Sequence, residues 1–437
     1  MFQDNSLAEN YEFTQQVALR TTTLSFMQNI ALDKHHALSE AELETLHAVN
    51  EALCHADEIV ICLGGKSGRL GECIVGTGFL EGTLRALSYL GKVKIPVTII
   101  VDEHVVELFD EKLYRQKYWP RITILKGSPD QSQNLSLLMA CRLKGCNIFI
   151  MDFHGANDDA PYLQVLDEHF LSEDRTTILR TVRVTTLAHL FRVGMRSYAN
   201  RGPHRRYADF IEDLLNLPAG SVDGDLAQPT ILLSSEDEAR YADLAMGLAL
   251  RPEALLVICF FQSVVIAKCY PRWDEVLALL ADYFAQHFPL QKIDFLVACG
   301  PDEQQPEGLK KADLEEDYGL SLGANNAARL LVRAIPSLRD LALIVKHALL
   351  VLSNDTGPGH ISGALQVPTV VPYLPGNVYA KKVWSSTLWH HGVTVDANMF
   401  DSQQLKAAVL WNRTAIIRSI SPESLMQEVR KILSPAL

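Results

Sequence analysis

The run Ser353-Asn354-Asp355-Thr356-Gly357-Pro358-Gly359-His360 gathers a carboxylate, a hydroxyl, glycines and an imidazole between two apolar stretches. Leu349 to Leu352 before it suits a buried strand, and Ile361 to Val367 after it suits a short helix that stops at Pro368. A strand-to-helix junction leaves backbone N–H groups unpaired at the helix start, and glycine lets a ligand approach them closely. The combination suits a phosphate or pyrophosphate. Asp355 or Thr356 would cap the helix, and His360 would face the same mouth one turn later. A purely structural cap and turn would use the same residues, so the motif takes its meaning from what else the chain brings to that place.

Three other groups are candidates. Gly64-Gly65-Lys66-Ser67-Gly68-Arg69-Leu70-Gly71-Glu72 follows the apolar strand Glu58 to Leu63. It matches neither a Walker A loop nor Gly-x-Gly-x-x-Gly. It offers two cations, Lys66 and Arg69, and it ends in Glu72 at a helix start, where the macrodipole favours the ionised carboxylate that a general base requires. A helix-start Glu serving only the dipole is the plain alternative. Lys268 follows the apolar run Leu255 to Ala267 and precedes Pro271-Arg272-Trp273, where a helix begins, so a cation there could neutralise a phosphate. Gly300-Pro301-Asp302-Glu303 ends the next strand and presents carboxylates suited to sugar hydroxyls, unless it is only a turn.

Alternating elements must position these groups. Apolar runs at Glu58 to Leu63, Val97 to Val101, Ile122 to Leu125 and Asn147 to Met151 are separated by helical or turn segments, which predicts a parallel, doubly wound sheet. The pattern restarts with a helix around Ser235 to Leu250. It continues with strand Leu255 to Phe261, helix Trp273 to His287, strand Asp294 to Cys299, helix Leu338 to His347 and strand Leu349 to Ser353. Between the halves, Leu217 to Pro229 is rich in Gly, Pro and Asp, as an interdomain linker would be. The expected organisation is a helical extension over 1–55, an α/β domain over 56–222 and a second over 230–437. The last helix, opened by Ser421-Pro422, would be placed to pack back on the first domain. Open α/β sheets bind ligands at the carboxyl ends of their strands, so both glycine-containing turns should face one cleft.

At 437 residues, 48% hydrophobic and 21% charged, the chain can bury two cores. A net charge of -12 argues against general nucleic-acid binding. Within that acidic whole, Arg175 to Tyr207 holds eight Arg and no Asp or Glu, a surface for an anionic partner or a set of Arg engaged with acidic neighbours. Eight Cys without a Cys-x-x-Cys pair indicate neither zinc nor a disulfide framework. No signal peptide is read in Met1 to Glu9 and no run reaches the roughly 20 apolar residues of a membrane span. The expected location is the cytoplasm, with contact at the inner face of a membrane allowed.

The stretch Asn354 to Pro368 resembles the Asp-Thr-Gly-x-x-His signature of glycosyltransferase family 9, the bacterial heptosyltransferase family. Leu70-Gly71-Glu72 is similar to its Leu-Gly-Asp start, and Asp152-Phe153-His154-Gly155 to its Asp-Leu-His-Gly strand end. His204-Arg205-Arg206-Tyr207 with Leu214 to Pro218 resembles its His-x-x-Arg-Tyr helix. Lys268 with Pro271 and Trp273 resembles its Lys-x-Trp-Pro element, and Gly300 to Glu303 the strand end that follows. The resemblance implies a GT-B fold, two Rossmann-like doubly wound domains, and an inverting transfer from a nucleotide-diphospho-sugar without a metal or other cofactor. It implies Glu72 as the base acting on the acceptor and Lys268 as the contact to donor phosphates. Asp302 or Glu303 would read donor hydroxyls, and Asp355, Thr356, Gly357, Pro358, Gly359 and His360 would form the pyrophosphate loop. Lys66, Arg69, His154, Arg205 and Arg206 would lie on the side of an anionic acceptor such as a lipopolysaccharide core, with ADP-heptose as a candidate donor. Glu72 replaces the family's Asp, and Tyr373-Leu374-Pro375-Gly376-Asn377 stands where Phe-Gly-Pro-Thr is usual. A sugar-nucleotide epimerase of similar architecture and a catalytically silent nucleotide-binding scaffold are the other two readings.

Overall fold

In the computed structural model the described residues are 56–63, 70–127, 148–152, 205–215, 217–263, 268–299, 328–373, 387–394 and 417–434. The chain divides into two compact units, Met1–Gln228 and Pro229–Leu437. The expected 1–55 extension lies outside the described residues.

In the first unit, β1 (Glu58–Leu63), α1 (Leu70–Tyr89), β2 (Val97–Asp102), α2 (Glu111–Lys117), β3 (Ile122–Gly127) and β4 (Ile148–Asp152) are followed by α3 (Arg206–Leu214). The strands form a parallel sheet in the order β3-β2-β1-β4. Buried β-branched residues explain the inner strands: Ile59, Val60 and Ile61 of β1 and Val97, Ile99 and Val101 of β2 are fully enclosed. At the edge, β3 exposes Lys126. Helix α3 lies close against α1 because α1 carries Gly78 and Gly82 on its facing side. A Cβ on Gly78 would sit 2.7 Å from the Tyr207 ring, and one on Gly82 would be 3.1 Å from Ile211.

The segment that reads as a linker is held in place. Glu212 of α3, nearly buried, accepts the Val222 N–H at 2.7 Å. Arg205 donates to the Val222 carbonyl at 2.7 Å, to Glu212 at 2.6 Å and to Asp209 at 2.8 Å. Its Gly, Pro and Asp therefore serve turns, such as Asp223 accepting the amides of Asp225 and Leu226, rather than a loose tether.

The second unit contains α4 (Ser235–Gly247), β5 (Ala254–Phe260), α5 (Trp273–His287), β6 (Lys292–Cys299), β7 (Ala328–Ala334), α6 (Leu338–Lys346) and β8 (Leu350–Ser353). After these come α7 (Gly357–Ala364), β9 (Thr369–Pro372), β10 (His390–Val393) and α8 (Pro422–Leu433). All six strands are parallel, in the order β10-β9-β8-β5-β6-β7. Three of them, β7, β9 and β10, escaped the sequence reading. β7 carries Arg329 and Arg333 in its run, and Arg329 belongs there because it donates to the buried carboxylate of Asp294 on β6 at 2.8 Å. Helix α8 starts as expected, with Ser421 accepting the Ser424 amide at 3.1 Å. Within its own unit, Leu425, Met426, Val429 and Leu433 join the core around α5. That apolar stripe needs cover, and α5 offers Trp273, Leu277, Leu280 and Phe284 beside it.

No described helix is long and apolar enough to cross a membrane. Among the described residues Cys73, Cys259, Cys269 and Cys299 are free thiols, and burial raises Cys259 far above the ordinary thiol range.

Candidate functional site

Each sheet reverses its winding direction next to its first strand. In the second unit the chain builds β5, β6 and β7 toward one edge, then returns to place β8, β9 and β10 on the other side of β5. The crevice beyond the carboxyl ends of β5 and β8 is thus a topological switch point, the usual ligand position of open α/β sheets. Lys268 follows β5, and Asp355 to His360 follow β8. The first unit has the same arrangement between β1 and β4, where the chain leads into the first turn of α1 with Glu72.

The second-unit crevice is tied together by Asn354, which is fully buried. Its Oδ1 accepts the Tyr270 amide and the Trp273 indole N–H, both at 3.0 Å, and its Nδ2 donates to the Phe261 carbonyl at 2.6 Å. Its own amide donates to the Phe260 carbonyl at 2.9 Å. One side chain thereby fixes the end of β8, the end of β5 and the start of α5. Trp273 fills the space behind it, fully buried and stacked on Phe261 at 4.8 Å between ring centroids.

That frame brings Lys268 onto Asp355. The ammonium lies 2.6 Å from Asp355 Oδ2 and is 37% exposed, whereas the carboxylate is mostly enclosed. His360 Nε2 is 3.9 Å from the other carboxylate oxygen. Burial alone would raise the Asp355 carboxyl. The charge of Lys268, then that of His360, outweighs it and holds the group below the ordinary carboxylate value. Lys268 therefore presents a positioned cation, partly open to solvent, at the mouth of the crevice.

Helix α7 begins at Gly357 with Pro358 in its first turn. Thr356 holds the N-cap position with extended backbone, but its side chain takes no capping bond and its hydroxyl stands 3.4 Å from Ser353 Oγ. Asp355 is spent on Lys268. The expected cap by either residue is thus absent; Pro358 has no N–H and the His360 amide reaches the Thr356 carbonyl at 3.3 Å, so the first-turn amides that could meet an anion are those of Gly357 and Gly359. Gly359 is required here because a Cβ would come within 2.5 Å of Ser353 Oγ. His360 is buried at the end of that turn, and its ring lies 5.6 Å from that of His390. His390, which sequence reading missed, opens β10 and reaches the Gly359 carbonyl with Nε2 at 2.7 Å. Burial, reinforced by His360, pushes its pKa down to about 3, so at neutral pH it is uncharged. A carbonyl can only accept, which places the proton on Nε2.

Lys268, Asp355, Thr356, Gly357, Pro358, Gly359 and His360 are therefore brought together. Glu72 is in the first turn of α1 and Arg206 opens α3, but their side chains lie outside the described residues, as do Lys66, Arg69, His154, Asp302 and Glu303. Arg205 is engaged by Glu212, Asp209 and Val222, so it joins the acidic-neighbour alternative rather than an open anionic surface. Among the described residues no three of His, Cys, Asp and Glu gather as a metal site.

The sequence model of "Glycosyltransferase family 9 (heptosyltransferase)" matches residues 176–394, half of the chain. The matched span includes Lys268 and the whole Asp355 to His360 turn and begins beyond Glu72. A search of curated proteins finds no match. Among solved structures, a glycosyl transferase family 9 protein from Veillonella parvula is similar over 86% of this chain and 97% of its own, with TM-score 0.54 and 19% identity. The ADP-heptose LPS heptosyltransferase II of E. coli is similar over 87% and 99%, with TM-score 0.50 and 12% identity. At these identities the likeness is one of fold, the GT-B architecture of two parallel-sheet α/β units.

Proposed function

This chain belongs to glycosyltransferase family 9 and is a glycosyltransferase, and from that premise we propose that it moves a sugar from a nucleotide-diphospho-sugar to an acceptor hydroxyl with inversion. The observation that carries the donor half is the Lys268 to Asp355 contact of 2.6 Å at the switch point between β5 and β8, beside the start of α7. A diphosphate leaving group gathers negative charge as its bond to the anomeric carbon breaks. Lys268 and the first-turn amides of α7 are suited to receive that charge, and the helix dipole acts in the same direction. Asp355 sets the direction of the lysine. His360 closes the loop behind it.

On the acceptor side the base is Glu72. It takes the proton of the acceptor hydroxyl while that oxygen bonds to the anomeric carbon, and the bond to the diphosphate oxygen breaks on the opposite face. The electron pair leaves with the nucleoside diphosphate, so one carboxylate suffices for inversion. In this reading the leaving group is stabilised by protein groups and not by a metal ion, so chelator treatment should leave turnover intact. Asp302 or Glu303 would read the donor's hydroxyls. Lys66, Arg69, His154 and Arg206 would meet an anionic glycan or glycolipid acceptor, with a lipopolysaccharide core as the first candidate.

ADP-heptose is the first donor to test, because the E. coli enzyme of similar fold is named for it. A thermal-shift panel of ADP, UDP, GDP and CDP identifies the base, and transfer assays with the corresponding sugars follow. If none of the four stabilises the protein, the donor-site reading is wrong.

A further inference from the structure

Helix α7 has little helical tendency of its own: Gly357, Gly359 and Gly363 are three of its eight residues. Its first turn must therefore be aimed by its surroundings. Two side chains converge on the Gly359 carbonyl. Ser362 Oγ donates from within the helix at 2.6 Å, and His390 Nε2 donates from outside it at 2.7 Å. His390 is itself set by the sheet: it pairs in register with Thr369, and its amide reaches the Thr387 carbonyl at 3.4 Å. The fit is close on the other side of the ring too. A Cβ on Gly363 would lie 2.7 Å from His390 Nε2 and 2.6 Å from Thr387 Oγ1, so glycine there lets the imidazole reach Gly359.

We propose that His390 is a positioning residue for the donor diphosphate, its Nε2–H holding the Gly359 carbonyl so that the first-turn amides of α7 point at the phosphates. The inference rests on the donor-site reading above. Because the imidazole is neutral and enclosed, it acts through this bond and not through charge. A residue that merely filled the core would support α7 equally well without a donor at this point. The difference is measurable.

The test compares the dissociation constant of the best nucleoside diphosphate from the panel with that of its parent nucleoside, by calorimetry on the full chain. His390→Phe keeps the ring and removes the donor. It should weaken the diphosphate by about tenfold, the range of one lost hydrogen bond, while the nucleoside changes by less than about twofold. His390→Gln restores an N–H donor and should lie within about threefold of the unmodified protein. Should His390→Phe fail to fold, Gly363→Ala, which presses the imidazole away from Gly359 without deleting it, should show the same selective loss. Diphosphate affinity kept in the variant that folds, or diphosphate and nucleoside weakened in parallel, would overturn the assignment. An unmodified protein that binds no nucleoside diphosphate would instead remove the donor-site reading on which the inference rests.

Discussion

Asn354 Oδ1 receives the indole N–H of Trp273 at 3.0 Å, joining the end of β8 to the first residue of α5 across 81 positions of sequence. The same oxygen takes the Tyr270 amide, and the amide nitrogen serves Phe261. Removing this side chain strands three buried polar groups at once, each worth about 1–3 kcal/mol when left unpaired. Asn354→Ala should therefore destabilise the second unit by more than about 3 kcal/mol. Urea denaturation followed by Trp fluorescence reads it, and a loss below about 1 kcal/mol would mean that water replaces the side chain.

Lys268 is expected to carry phosphate affinity by its charge. Lys268→Met combined with Asp355→Asn deletes both partners, so that no enclosed carboxylate is left unpaired. A charge-assisted bond contributes about 1.5–3 kcal/mol, so nucleoside diphosphate affinity should fall roughly 10- to 100-fold in a folded protein. Calorimetry showing unchanged affinity would take Lys268 out of the donor site.

For Glu72 the prediction concerns rate and not binding. Glu72→Gln should lower kcat by about 100- to 10,000-fold, the usual range for a general base, with donor affinity unaltered. Turnover surviving the substitution would return Glu72 to the role of a helix-start residue that only complements the dipole.

Acid sensitivity follows from His390. Its pKa falls from 6.5 in the unfolded chain to about 3 in the fold, so between those values the unfolded state holds the extra proton. Stability from this group is complete above pH 6.5 and is lost progressively as pH falls toward 3. Between pH 6.5 and 4.5 the loss should be about 2–3 kcal/mol. His391, also shifted down by burial, adds in the same direction, and Asp355, held below its ordinary value, contributes only below about pH 4. Denaturation midpoints of His390→Gln across that range should be flatter than those of the unmodified protein, and an equal slope would show that His390 is not the titrating group.

The turn at Asp355 to His360 was legible as a strand-to-helix junction because glycine and proline punctuate the chain there, and Lys268 because a cation ends an apolar run. The helix over Trp273 to His287 was legible from its periodicity alone. What escaped was of a different kind. His390 lies in His-His-Gly-Val, which has neither the alternation nor the β-branched content of a strand, and becomes β10 only by pairing with β9. The switch points were hidden because strand order is a property of the folded sheet. Asn354 opens the same turn, yet its role depends on Tyr270 and Trp273 arriving beside it. Arg205 looked like part of a basic surface because its acidic partner, Glu212, lies seven residues on, two helical turns away.

Gly357, Gly359 and Gly363 lower the helical tendency of α7 by up to about 1 kcal/mol each relative to alanine, while Pro358 is tolerated in its first turn. α7 therefore depends on contacts from Ser353, Thr387 and His390, which the assembled sheet brings beside it. Substitutions within α7 should then change the unfolding rate more than the folding rate, and equal effects on both in stopped-flow kinetics would show that α7 is already packed in the folding transition state. A bound donor would add its own contacts to those of Ser353, Thr387 and His390 and so stabilise the native state by an amount that grows with the logarithm of its concentration over its dissociation constant.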